Sequence, residues 1–499
     1  MSSPKSPHGV QTKPFVYQDF QGLDTTRDIT ALDTGSKQYL ANLVDGFCDW
    51  RGQITRDPGA THYAGRFTTN HIEFYAKDGI VWAEQDGKGV NLVSDIGVVE
   101  DTAFTIDSTV TSTVFNRKAH FFSSSQQSFY YDGSKFSLNQ SVALDSLRPA
   151  FATAVGRRLA VAGISGRETE VHLSRVDDHE VFPDDEAQDS TNVLRAAKID
   201  IANYTGAAEP ITAVARFEQS RLVIFTTDRA VVFAVDPDVS TWTIDERANI
   251  NVGCVSHNTV CLAEDVLMFC SRSGVHTLGR SRDNGLTIGA QGLSDKIDIL
   301  YRKLMNSVPA YEKISAAYDQ DMGQYHVFFP QPGGTQTKRL TLTFKNGVME
   351  PKWSVSEFMN ARCGASQGGR LFMGTPGGVY EINKIEDAGA DLYPNLVATL
   401  PYLWHGSFTD QKSSHSVIIQ ASGNGNCTLE AFNEEGVLLD SMVFEIDASP
   451  DDNNFPDVPL SRQYERRFEH RYKAVAFRLT VPGSGLLRII GLAVVVRKE

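Results

Sequence analysis

One local pattern recurs along most of this chain: a short apolar run, a tight turn rich in Gly, Asp or Ser, and a second apolar run. It reads at 71–82, 129–136, 158–166, 221–233, 266–278, 325–333 and 370–380. Runs of Val, Ile, Phe and Tyr bounded by such turns mark antiparallel strands. The turns, at 78, 132, 165, 227, 273, 332 and 377, recur on average about every 50 residues, close to the ~40–50 of propeller repeats. A small antiparallel sheet cannot bury both faces alone. A ring of such sheets gives every face a neighbour and leaves only short edges. The fold class implied is all-β, a β-propeller of degenerate blades over 61–385. A pair of β-sandwiches is the competing architecture for the same spacing.

The rest of the chain departs from the repeat. Residues 294–305 place Ile297, Leu300, Tyr301 and Leu304 at the i, i+3, i+4, i+7 spacing of an amphipathic helix, with Ser294 as the expected N-cap. The helix is expected as an insertion between two blades. Beyond 385 the turn repeat stops, and five strand-like runs, at 416–420, 427–432, 441–446, 474–481 and 485–497, suggest a separate C-terminal β-sandwich (platform) domain over 386–499. Residues 1–60 carry few strand signals and read as an N-terminal arm and lead-in.

Charge follows the same division. The chain holds 47 Lys and Arg against 61 Asp and Glu, a formal net charge of −14. That balance excludes a general nucleic-acid binder, which would be basic. Residues 461–499 nonetheless carry nine Lys and Arg against three Glu, +6, so that the preceding 460 residues carry −20. Arg466, Arg467 and Arg471 are the candidate residues for docking on an acidic neighbour. Equally, they read as solvated edge residues that discourage aggregation. No run of ~18 apolar residues exists, so no membrane-spanning segment is expected. The first residues lack the apolar stretch of a secretory leader.

Motifs for chemistry are sparse. Ser281-Arg-Asp-Asn-Gly-Leu-Thr-Ile288 matches the Asp-box turn of sialidase-like propellers at Ser281, Asp283, Gly285 and Thr287, with Ile288 in place of the aromatic. This turn is structural, its Asp and Ser bonding loop N–H groups. A glycoside hydrolase would need a carboxylate pair as well, and a single degenerate box argues against one. Residues 177–189 hold seven carboxylates, but without the glycine and spacing of a calcium loop, so a solvated loop is expected. His257 and His276 flank a β run without metal-ligand spacing. Cys48, Cys254, Cys261, Cys270, Cys363 and Cys427 are irregularly spaced with no C-x-x-C. Buried thiols made in a reducing interior fit them, Cys261 and Cys270 above all. The five Trp residues, Trp50, Trp82, Trp242, Trp353 and Trp404, read as core or blade-packing residues. No nucleophile elbow or phosphate loop is present. No catalytic residue, metal ligand or cofactor is expected.

A family resemblance is carried by motifs in order along the chain. Asp19-Phe-Gln-Gly-Leu-Asp24, Leu40-Ala-Asn-Leu43 and Arg51-Gly-Gln-Ile-Thr-Arg-Asp-Pro-Gly59 resemble the opening of phage tail proteins, with Gln21-Gly22 where the family often has Gly-Gly. Residues 211–225, Val252-Gly-Cys-Val-Ser-His257, 269–279, 466–479 and Ile489-Ile-Gly-Leu492 are similar to the family's middle and end. The family is the tail hub, or nozzle, of short-tailed bacteriophages, which includes packaged-DNA stabilisation proteins. The resemblance implies a non-enzymatic virion protein made in the host cytoplasm. It implies a six-membered ring that continues the DNA channel below the portal and head-to-tail adaptor, retains the packaged genome and passes it at ejection. Implied partners are copies of itself, the adaptor, a tail fibre, spike or needle, and double-stranded DNA in transit. An acidic channel would suit that transit by repelling phosphates. A β-propeller adhesin that binds a receptor or glycan is the alternative.

Overall fold

In the computed structural model, residues 12–497 are described apart from short stretches, the longest being 28–37, 102–109 and 449–460; from residue 64 to 109 only the backbone is described. Seven four-stranded antiparallel units follow one another. Six are separate sheets, and the other, with strands Ser315–Asp319, Gln324–Phe329, Lys338–Thr343 and Lys352–Ser356, continues into a larger sheet. Their first strands begin at Thr69, Thr111, Phe151, Ile211, Cys261, Ser315 and Cys363, a mean step of about 49 residues. Each first strand neighbours that of the next unit, the turn His257–Thr259 making the contact between the fourth and fifth, and the seventh neighbours the first. The chain is therefore a β-propeller. Each of the seven turns read from the sequence falls within a different blade.

Burial explains the strand sequences. The second strands of blades three and six, Arg158–Ala162 and Gln324–Phe329, are buried at every position. A strand covered on both faces reads as a continuous apolar run, not an alternation. The cover comes from neighbouring blades. Leu173 and Val171 of blade three share a core with Leu222 and Ile224 of blade four. Phe225 of blade four meets Phe269 of blade five, with ring centroids 4.7 Å apart. Phe328 of blade six packs with Leu371 and Met373 of blade seven. Blade seven takes its outermost strand, Ala60–Ala64, from before blade one, antiparallel to Gly378–Ile382. This pairing of chain-distant segments closes the ring.

The helix is Asp298–Ser307, preceded by a 3-10 turn Asp295–Ile297, and it lies between blades five and six. Ile297, Tyr301 and Leu304 are buried as the spacing predicts. Ser294 does not cap it with its side chain: the Ser294 hydroxyl accepts from the backbone N–H of Val275 at 3.0 Å, tying the helix lead-in to blade five.

The lead-in before residue 60 is not an arm outside the core. Thr12–Gln18 pairs along its length with Leu487–Arg497. Asn42–Val44 pairs with Leu396–Thr399 and touches blade six at Val355. Phe20, Leu23, Leu40, Leu43, Cys48 and Ile54 are all buried. Gly22, at φ +78°, lies so close to Trp353 of blade six that a Cβ there would sit 2.7 Å from the Trp353 carbonyl oxygen, a clash that only glycine avoids. The sequence expectation failed because these strands are mostly three or four residues long and take their partners from far along the chain, so no local periodicity marks them.

The C-terminal part is likewise not a separate sandwich. Its first two expected strands are one, Lys412–Asn433. The first half pairs with Arg462–Arg467 and Leu487–Arg497, and from Gly423 onward the strand pairs with Leu438–Ala448 and Val475–Val481. The two halves turn their apolar faces, including Val417, Ile419, Leu429 and Phe477, into one core that also holds Trp353, Tyr325 and Tyr301 of the propeller side. Sheet and core are continuous with blade six.

Two buried histidines make this fold acid-sensitive. His120 is pushed down to about 3 by burial, then by neighbouring His179 and Lys118. His405 is also pushed down to about 3, by burial and then by Lys412. An unfolded histidine titrates near 6.5, so the unfolded chain binds these protons first. Their contribution is complete above about pH 6.5 and is lost as pH falls toward about 3, at roughly 1.4 kcal/mol per pH unit for each histidine. Urea midpoints from pH 6.5 to 4.5 are expected to fall, and the His120→Gln, His405→Gln double variant is expected to show a shallower slope by about two protons. An unchanged slope would contradict this assignment.

Candidate functional site: a recess at the hub

Where the first strands meet lies a cavity of about 460 Å³ lined by residues of blades two to six. Its lining has a common origin. Thr111, Phe151 and Thr212 stand at the start of first strands, and Gly163, Thr227 and Arg272 follow second strands. Those positions share one end of the blades, so the recess opens among the loops of a single face.

Local sequence shapes it. Gly163 has φ +73°, and a Cβ there would lie 2.7 Å from the Phe151 ring, so glycine lets that ring lie inward. Phe151 stacks on His257 with centroids 5.1 Å apart and planes 13° from parallel. Thr111 donates its hydroxyl hydrogen to the Ala150 carbonyl at 2.9 Å, and Thr212 to the Cys254 carbonyl at 2.7 Å. Ser256 donates to the Glu312 carbonyl at 3.3 Å. At the rim the Arg272 guanidinium lies 5.7 Å from the Tyr311 ring centre. Cys254, in the lining, is fully buried and its thiol is pushed up to about 11 by burial, so it stays protonated at neutral pH.

Of the lining residues the sequence singled out Cys254 as a buried thiol, His257, and the motif Val252-Gly-Cys-Val-Ser-His257 that holds both, but nothing in it gathered them into a recess. The residues come from five blades, with no spacing to connect them. A register of where each first strand begins is the one signal that would have gathered them.

The basic candidates lie elsewhere. Arg466 and Arg467 end the strand Arg462–Arg467, and Arg471 begins Arg471–Tyr472; both strands pair with Lys412–Asn433 and all three arginines are exposed. They share an edge but not a face, since consecutive strand residues point oppositely. Arg466 donates to the Val443 carbonyl at 3.2 Å. Arg467 pairs with Glu469, which also takes Arg497. Part of the basic excess is thus neutralised within the same sheet.

The acidic loop has structural work. Asp185 accepts from the Ser141 hydroxyl at 2.6 Å and from the backbone N–H of Ala143 and Phe182, both at 2.9 Å, fastening the loop to the helix Val142–Leu147. Asp177 pairs with Arg157, and Asp184 with Arg167. Among the described residues no group of three or more His, Cys, Asp or Glu is placed to hold a metal ion. Residues 281–285 of the Asp-box motif lie outside the described residues; Leu286–Ile288 after them is a strand. Cys48, Cys254, Cys270, Cys363 and Cys427 are buried, while Cys261 is only half-buried. Trp353 is fully buried and Trp50 is 49% exposed, so a core role fits the first and not the second. Among the described residues no helix is long and apolar enough to cross a membrane.

No family model and no curated protein matches the chain. Among solved structures it is similar to the β-propeller domain of Cps50 (Swd1) from Myceliophteria thermophila, at 11% identity over 65% of this chain and 98% of that one, with TM-score 0.42. It is similar to BamB from Moraxella catarrhalis, at 10% identity over 65% and 99% of the two chains, with TM-score 0.38. It is also similar to PorZ, a surface component of the type-IX secretion system of Porphyromonas gingivalis, at 11% identity over 72% of this chain and 44% of that one, with TM-score 0.39.

Proposed function

We propose that this β-propeller protein is a structural virion component, a tail nozzle or hub subunit of a short-tailed bacteriophage. It assembles as a ring, six-membered by the family resemblance, below the head-to-tail adaptor, and it retains the packaged DNA and passes it at ejection without acting as an enzyme. The observation that carries this reading is where the resembling motifs lie. Gly22 sits against Trp353. Asp45, just after Leu40-Ala-Asn-Leu43, accepts from the Ser356 hydroxyl and from the N–H groups of Glu357 and Phe358 at 2.8–3.0 Å. Asp57 pairs with Arg339. These residues fasten the lead-in to blade six, and a subunit that must transmit force between neighbours requires such ties.

The exposed basic edge offers a subunit contact. Six bodies at −20 repel at short range, within a Debye length of ~8 Å at physiological salt. Arginines set against a neighbour's carboxylates reduce that repulsion and fix register. Reversing Arg466, Arg467 and Arg471 together to Glu is expected to leave the subunit folded and to block ring formation, with the wild-type ring loosening as salt rises. Assembly of the triple variant with wild-type salt dependence would show that this edge is not the contact.

A further inference from the structure

The hydrogen-bond balance of the hub recess selects among possible occupants. The hydroxyls of Thr111, Thr212 and Ser256 give their hydrogens to backbone carbonyls inside the protein. Each keeps oxygen lone pairs. A ligand rich in O–H groups can donate to them, whereas an anion, which only accepts, cannot. The rim supplies one charge of each sign, Arg272 and Glu312, so it lacks the single-signed field that concentrates a polyanion. It also supplies an apolar surface: Tyr311 is 37% exposed and the stacked Phe151–His257 pair lies in the lining. The volume of about 460 Å³ falls in the ~300–1,000 Å³ range of small-ligand sites.

Acceptor oxygens of three hydroxyls and the donors of Arg272 and Asn258, set beside aromatic faces with charges of both signs, match a molecule that has O–H groups, which both donate and accept, on its edges and C–H groups on its faces. We propose that the recess binds a short neutral saccharide. The inference rests on the recess alone and is independent of whether the protein forms a ring.

The test is saturation-transfer NMR on the full-length protein with maltotriose, cellotriose and chitotriose, each at about 5 mM. Inorganic phosphate and sialyllactose serve as anionic competitors. At least one neutral trisaccharide is expected to bind and to resist displacement by the anions. Thr212→Val and Tyr311→Ala are each expected to weaken it by about tenfold or more. Tyr311 is exposed at the rim, so its variant is informative even if Thr212→Val proves unstable. Absence of transfer from all three trisaccharides, displacement by phosphate or sialyllactose, or unchanged affinity in the Tyr311→Ala protein would overturn the proposal.

Discussion

Replacing Arg158 with methionine is expected to cost about 4 kcal/mol of stability, since hydrogen bonds to a charged group contribute roughly 1.5–3 kcal/mol each and part is recovered by no longer burying a charge. Arg158 is fully buried in blade three. Its guanidinium donates to four carbonyls: Ser174 at 2.8 Å, Arg195 at 2.6 Å, Val193 at 3.1 Å and Pro237 at 2.9 Å. Three of these belong to the long excursion between the strands Glu170–Leu173 and Ala197–Asp200, and the fourth lies in blade four. One side chain thus pins the acidic loop and the seam between two blades. In Arg158→Met the excursion should become the first site of limited proteolysis, with a lowered denaturant midpoint. Arg158→Lys should recover less than half, because an ammonium has three donors at one point and cannot span four carbonyls. A midpoint unchanged in Arg158→Met would show that water replaces the guanidinium at no cost.

The second large effect is expected at the lead-in. Asp57 and Arg339 form an ion pair with each side chain 6% exposed, and the Arg339 guanidinium also donates to the Met373 sulfur at 2.9 Å. Burial pushes the Asp57 carboxyl up, and the Arg339 charge opposes that shift. Removing one partner leaves the other charged and buried, which typically costs 3–5 kcal/mol. Asp57→Leu and Arg339→Met are each expected to lose about that much. The double variant should lose only about 1–2 kcal/mol, because no lone charge remains. Additive losses would show that the two residues act through separate contacts.

These two sites also show which parts of the fold could be read from residues alone. The blades could, because a strand buried by its neighbours on both faces is mostly apolar and ends in turn chemistry, as Gln324–Phe329 does with Tyr325, Val327, Phe328 and Phe329. The helix could, through Ile297, Tyr301 and Leu304 on one side. The lead-in could not. Asn42–Val44 is three residues long and acquires its meaning from Val355 and Leu396–Thr399, more than three hundred residues away. Arg158 and Arg339 could not be picked out either, since nothing local marks a guanidinium that will be buried. The hub recess stayed hidden because Thr111, Thr212 and Tyr311 meet only when blades two to six pack side by side. Arg466, Arg467 and Arg471 were visible as a basic cluster, but the compensation of Arg467 by Glu469 depends on the geometry of that edge.

Electron microscopy of the purified full-length protein, alone and mixed with its head-to-tail adaptor and neighbouring tail proteins, tests the central claim most directly. The account expects closed rings with six-fold symmetry and an open central channel, stacked coaxially on the adaptor. A protein that stays monomeric with every neighbour present, or that attaches at the side of the tail with no channel, would contradict it.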